Sequence, residues 1–123
     1  MTIFEAVSMF NEMKPNGYTQ SAKIKWLHTL DSMVKSNIID THEGAEAVNF
    51  EGYTEDTDLS TQLLAPAPYD EMYLFWLESK TDYWNGETAR YNNSISMFNN
   101  AYAEYERYYN RTHMPKGKKI KFF

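Results

Sequence analysis

The chain has no cysteine. That absence removes disulfide bonds, thiolate nucleophiles and cysteine-type metal sites together, and it fits a reducing compartment. There is no run of about 18 apolar residues, so no segment is expected to span a membrane. The opening stretch MTIFEAVSMFNEMK carries Glu5 and Glu12; a secretory leader would need a basic start and a small-residue cleavage site, and neither is there. The five glycines are scattered singly, which excludes the glycine loops that cradle phosphates or dinucleotides. No serine sits in a nucleophile elbow. His28, His42 and His113 lie in different segments without H-x-x-x-H or H-x-E spacing, so no metal motif exists and each is read as a satisfied or exposed side chain. The acidic stretches DTHEGAE and EDTD lack the ligand register of a calcium loop, and a solvated acidic loop is the better reading. Repeats and low-complexity tracts are missing too. The expectation is a protein that is not an enzyme and uses no cofactor and no metal.

Aromatic residues and charge are what the chain does have. Ten Tyr, seven Phe and three Trp in 123 residues are a high aromatic load for a chain with net charge −5. Rings with polar tips suit surfaces wet at one end and buried at the other, as at protein interfaces; a tyrosine-rich core is the plainer alternative. The length gives one domain with a modest core. Charge is unevenly placed. Residues 113–123, HMPKGKKIKFF, hold four lysines and no acid, leaving eight basic against 17 acidic side chains in the other 112 residues, a balance of −9. Between Asn37 and Pro68 stand Asp40, Glu43, Glu46, Glu51, Glu55, Asp56 and Asp58 with no Lys or Arg. Most of this surface repels nucleic acid. Opposite charge on separate parts of one chain favours head-to-tail contact between copies or with a neighbour, and such contacts can close into rings.

Four helices are expected. Thr2 and Glu5 form a capping box for the first, with Ile3, Val7, Phe10 and Met13 or Lys14 at helical spacing, and Pro15 with Asn16-Gly17 ends it. Thr19 caps a second helix over about 20–36. Ile24, Leu27, Leu30 and Val34 make its stripe, with Trp26 and Met33 on the flank and Lys23, Lys25 and Lys35 facing away. From Asn37 to Pro68 no helical period holds. Val48 and Phe50 alternate with polar residues, and LSTQLLA reads as a second short extended piece. A loose hairpin or long loop projecting from a helical body is expected. Ala65 and Ala67 each precede a proline, and Asp70 with Glu71 favours the start of a third helix behind them. Its turn Met72, Tyr73, Leu74, Phe75, Trp76 and Leu77 is apolar all round and must be covered on every side, by the other helices and by the loop or another molecule. Asn85-Gly86 stops it. Tyr91, Ile95, Phe98, Tyr102, Tyr105 and Tyr109 then mark a fourth helix over about 87–111, ended by Pro115 and Gly117. Asn92, Asn93, Asn99 and Asn100 are poor helix formers on its outer side; they make sense there if they bond a neighbouring backbone. The fold class is therefore all-α. It is a small bundle of about four helices with a long acidic loop or short β-hairpin between helices two and three, and an extended C-terminal tail.

The stretch LLAPAPYDEMYLFWLESKTDYWNGETARYNNSISMFNNAYAEYERYYNRTHMP resembles the small head–tail connector (adaptor) proteins encoded beside portal and capsid genes in tailed phages and prophages of Gram-positive bacteria. Leu64, Pro66, Pro68, Tyr69, Asp70 and Tyr73 match one block of that pattern. Asp82, Tyr83, Asn85, Gly86, Glu87, Arg90, Tyr91, Asn92, Asn93 and Ser94 match the next. Phe98, Tyr102, Tyr105, Tyr109, Arg111, His113 and Pro115 match the last, and Pro15, Asn16, Trp26, Leu27 and Asp31 fit an N-terminal block. The acidic insert near 43–60 has no counterpart. The resemblance implies a structural virion protein: an all-α connector domain over 1–112 with a basic tail over 113–123, assembled in the host cytoplasm and resident at the head–tail interface. About twelve copies would form a ring below the portal, extend the DNA channel without sequence-specific binding, and offer a docking surface to tail or stopper proteins. Portal binding would fall to His113, Pro115, Lys116, Lys118, Lys119, Ile120, Lys121, Phe122 and Phe123. Candidate subunit-interface residues are Tyr69, Asp70, Tyr73, Trp76, Arg90, Asn92 and Asn93. A rival reading, from another class, is a small helical regulatory or nucleic-acid-binding domain whose tail is a basic arm.

Overall fold

A computed structural model describes residues 1–117. Four α-helices follow one another: α1 (Ile3–Met13), α2 (Gln20–Asn37), α3 (Met72–Trp84) and α4 (Thr88–Thr112). Single 3-10 turns lie at Ile39–Thr41, Ala45–Ala47 and Tyr69–Glu71. No strand forms among the described residues, so the fold is all-α.

The starts of α1 and α2 are those their side chains dictate. Thr2 Oγ1 accepts from the Glu5 N–H at 3.0 Å, and Glu5 Oε1 accepts from the Thr2 N–H at 2.8 Å, closing the capping box of α1. Thr19 Oγ1 accepts from the Ala22 N–H at 3.1 Å at the head of α2. Asn85 and Gly86, the latter at φ +73°, turn α3 into α4, and these two helices pack side by side as a hairpin. Ile3 and Phe10 of α1, Ile24, Leu27, Leu30 and Val34 of α2, and Met72, Tyr73 and Leu77 of α3 meet in one core, closed by Phe98, Tyr105 and Tyr109 of α4.

The apolar turn of α3 is covered within the chain. Met72, Tyr73, Leu74, Trp76 and Leu77 are buried and only Phe75 is half-buried. Trp76 packs on Phe98 with ring centres 4.9 Å apart and donates its indole N–H to the Trp26 carbonyl at 2.7 Å. The segment between α2 and α3 supplies the remaining cover, which corrects the expectation of a projecting loop or hairpin. Ile38, Ile39, Ala45, Tyr53, Leu63 and Ala65 are buried in it. Its second extended piece pairs with the N-terminal residues instead of with Val48–Phe50: the Ile3 N–H donates to the Thr61 carbonyl and the Leu63 N–H to that of Met1, both at 3.0 Å. Gly52, at φ +87°, lets the segment close over α2, since a Cβ there would stand 2.7 Å from His28 Cε1.

Two further expectations are revised. Lys23 does not face away. It is buried, donates to Asn11 Oδ1 at 2.6 Å and lies over the Phe10 ring, and burial lowers its pKa. The C-terminal segment does not leave the body at residue 113 either. The Glu43 N–H donates to the Met114 carbonyl at 2.8 Å and the Lys116 N–H to that of Thr41 at 3.0 Å, tying the first residues of the tail to the turn after α2.

Candidate interaction surfaces

Each candidate interface residue has a definite place. Tyr73 is 0% exposed and Trp76 7%. Both are consumed by the protomer's own core, so a subunit contact through them is withdrawn: an apolar turn at the bundle centre is reached by three sequence-distant elements. Tyr69 is half-buried and stacked on Tyr108 with ring centres 4.6 Å apart. Asp70, also half-buried, lies 3.4 Å from the amino group of Met1. Arg90 is exposed and pairs with Glu87 at 3.1 Å. Asn92 and Asn93 are exposed on the outer side of α4 with Asn99 and Asn100, and none of the four makes a side-chain hydrogen bond among the described residues. Lys118, Lys119, Ile120, Lys121, Phe122 and Phe123 lie outside the described residues.

Among the described residues the large apolar side chains left bare fall in four places, one of them Met114 just past α4. Phe4, Met9 and Met13 are on α1, with Phe4 58% exposed. Tyr83 and Trp84 stand at the end of α3, edge to face at 5.3 Å and with Trp84 63% exposed. Met97 is on the outer side of α4. Tyr83 also contacts Tyr91, and between them and Gly86, Glu87 and Asn92 opens a cleft of about 300 Å³ at the turn of the hairpin. Its floor is anchored by Asp82, which is buried, paired with Lys14 at 2.9 Å and receiving the Ser94 hydroxyl at 2.9 Å.

A second cleft, of about 220 Å³, runs where the turn before α3 meets α4. Tyr69, Met72, Phe75 and Ala101 form its apolar floor, and the exposed carboxylates of Glu71 and Glu104 stand at its rim. Glu104 is shared with Arg107 one turn on.

The root of the tail is built around His42. Buried at 3% exposure, it donates from Nδ1 to the Ile38 carbonyl at 2.6 Å, and its Nε2 lies 2.8 Å from the Asn110 side-chain amide. Its ring meets Tyr109 edge on, and His113 stacks flat on Tyr109 at 3.8 Å, with the two imidazole centres 6.4 Å apart. Pro115 pairs with His42 in an isolated antiparallel bridge. His113 and Pro115 are thus half-buried against the body, while Lys116 keeps its side chain exposed and is held by its backbone N–H, and the three histidines do not meet as a ligand set. No group of three or more His, Asp or Glu side chains is placed to hold a metal among the described residues.

One residue escapes a reading of the pattern alone. Asp31 is fully buried; its carboxylate accepts from the Tyr53 hydroxyl at 2.5 Å, the Tyr73 hydroxyl at 2.6 Å and the Leu64 N–H at 3.0 Å. The Tyr73 oxygen in turn accepts from the Ala65 N–H at 2.8 Å. Burial pushes the Asp31 carboxyl up, the three donors pull it down, and burial prevails. The carboxylate drives the Tyr53 and Tyr73 hydroxyls up in its turn, behind the larger effect of their own burial. The available signal was register: Asp31 follows Leu27 by four and precedes Val34 by three, on the apolar stripe of α2.

Comparison of the chain with protein-family models, curated proteins and solved structures gives no match. No helix among the described residues is long and apolar enough to cross a membrane.

Proposed function

We propose that the chain is a structural subunit of a phage or prophage particle, one copy of an adaptor ring that joins the portal to the tail or stopper and lines the DNA channel. The sequence blocks that resemble head–tail connectors motivate the reading, and helix α4 carries it. Its 25 residues extend for about 37 Å, with one face committed to the core. The outer side sets out Asn92, Asn93, Ser96, Met97, Asn99 and Asn100 with no charge among them. Asparagine in a helix interior costs roughly half a kcal/mol relative to alanine. A helix that accumulates that cost four times gains nothing from those amides in its own fold. Their donors and acceptors suit a partner's backbone. The bare Phe4, Tyr83 and Trp84 add apolar anchors of the kind that dominate interfaces.

The deciding experiment mixes the purified chain with the portal protein of its own particle and examines the product by native mass spectrometry and negative-stain microscopy. A ring of this chain seated on the portal is expected. Failure to bind the portal at micromolar concentration would overturn this reading, and tight binding to duplex DNA at physiological salt would replace it with that of a nucleic-acid-binding domain.

A further inference from the structure

We infer that the cleft between Tyr69, Phe75 and Ala101 receives residues 118–123 of a second copy of this chain. The inference rests on the assembling-subunit reading above and moves the tail's contact from the portal to the neighbouring protomer.

Complementarity comes first. The cleft offers an apolar floor of Tyr69, Met72, Phe75 and Ala101 with carboxylates Glu71 and Glu104 at its edge. The segment 118–123, KKIKFF, combines three lysines with Ile120, Phe122 and Phe123. Apolar side chains fill the floor while the ammonium groups reach the rim, a pairing of small area made selective by charge.

Geometry decides which copy supplies it. The tail root lies on the side of α4 that carries Asn110, through His42. The cleft lies on the side that carries Ala101, Glu104 and Tyr108. At about 100° per residue these two sides are roughly half a turn apart. The core occupies one way round, and the ridge bearing Arg107 and Arg111, both exposed, occupies the other. To return in cis, the chain leaving Gly117 would travel about 12 Å or more back along α4 and about 15 Å round it. Six residues reach at most about 20 Å, which leaves nothing to enter the cleft, and the lysines would pass two arginines on the way. A second copy meets neither obstacle. Tail into cleft is a heterologous contact, and its repetition closes a ring when the rotation between copies closes.

The test uses full-length chain in sedimentation velocity over a concentration series. One variant reverses the rim, Glu71→Lys with Glu104→Lys; another reverses the segment, Lys118→Glu, Lys119→Glu and Lys121→Glu. All five positions are exposed or beyond Gly117, and circular dichroism checks that each variant is folded. Wild type is expected to self-associate, and each variant alone to do so at least about tenfold more weakly. An equimolar mixture of the two should recover association, because every charge then has its complement. A wild type that stays monomeric throughout overturns the inference. So does a mixture no better than its components, or a pair of variants that associate as wild type does. In that last case the ring reading survives with another interface. Rescue in the mixture beside a failure to bind portal separates the two claims the other way: the docking holds and the portal reading falls.

Discussion

Asp31 joins parts of the chain that lie far apart in sequence, because its carboxylate holds Tyr53 and Leu64 of the insert and Tyr73 of α3. It carries a charge into the core with no cation beside it, and only donors compensate. Burial still prevails, so its carboxyl titrates above the ordinary 3.8. The folded state therefore takes up this proton at a higher pH than the unfolded chain does. The contribution of Asp31 to stability must then grow as pH falls from neutral through its raised pKa, and level off below 3.8. Urea midpoints of wild type and Asp31→Asn, compared across pH 7 to about pH 4, should shift relative to each other in favour of wild type on acidification. A difference that instead widens in favour of the variant as pH falls would show that the donors, and not burial, dominate. The position was legible only as an acid on an apolar stripe. Its partners were not, since Tyr53 and Leu64 stand in a segment with no period of its own, and nothing local announces which hydroxyls will reach α2.

The helices were readable because their signals are local. Thr2 with Glu5, Thr19, Pro15 and Asn85-Gly86 act within one turn of themselves, and the structure places α2 and α4 within a residue of the expected bounds. The insert departs from expectation for the opposite reason. Its order comes from bonds such as Ile3 to Thr61 and from Gly52 against His28, contacts that no window of neighbouring residues contains. The same holds for residues 113–116, whose charge suggests the start of a free tail and whose backbone is clipped to the turn after α2. His42 is the fastener there. His42→Ala should leave α1 to α3 intact while the amides of Glu43 and Lys116 exchange with solvent at least about tenfold faster, since their bonds would open without global unfolding. Equal protection in the variant would mean that the two backbone bonds and the Tyr109–His113 stack suffice without the imidazole.

Considered whole, the molecule hides more of its aromatic load than composition suggests. The rings of Tyr73, Tyr105 and Trp76 serve the protomer. Among the described residues the exposed remnant narrows to Phe4, Tyr83 and Trp84, with the methionines of α1 and α4 and Met114, and these are anchors available to the proposed assembly beside the tail contact. Trp84→Ala is expected to shift stability by less than about 0.5 kcal/mol, as an exposed position should. It should also weaken the complex with portal or with sister copies by about tenfold or more, the mark of an aromatic anchor. Matching losses of stability and assembly would make Trp84 a packing residue of the fold. The clip at Thr41–Glu43 also has a mechanical consequence. Tension applied beyond Gly117 is taken first by these two backbone bonds and passes into the body at the turn after α2. Until they open, the last turn of α4 is shielded from a tug on the tail.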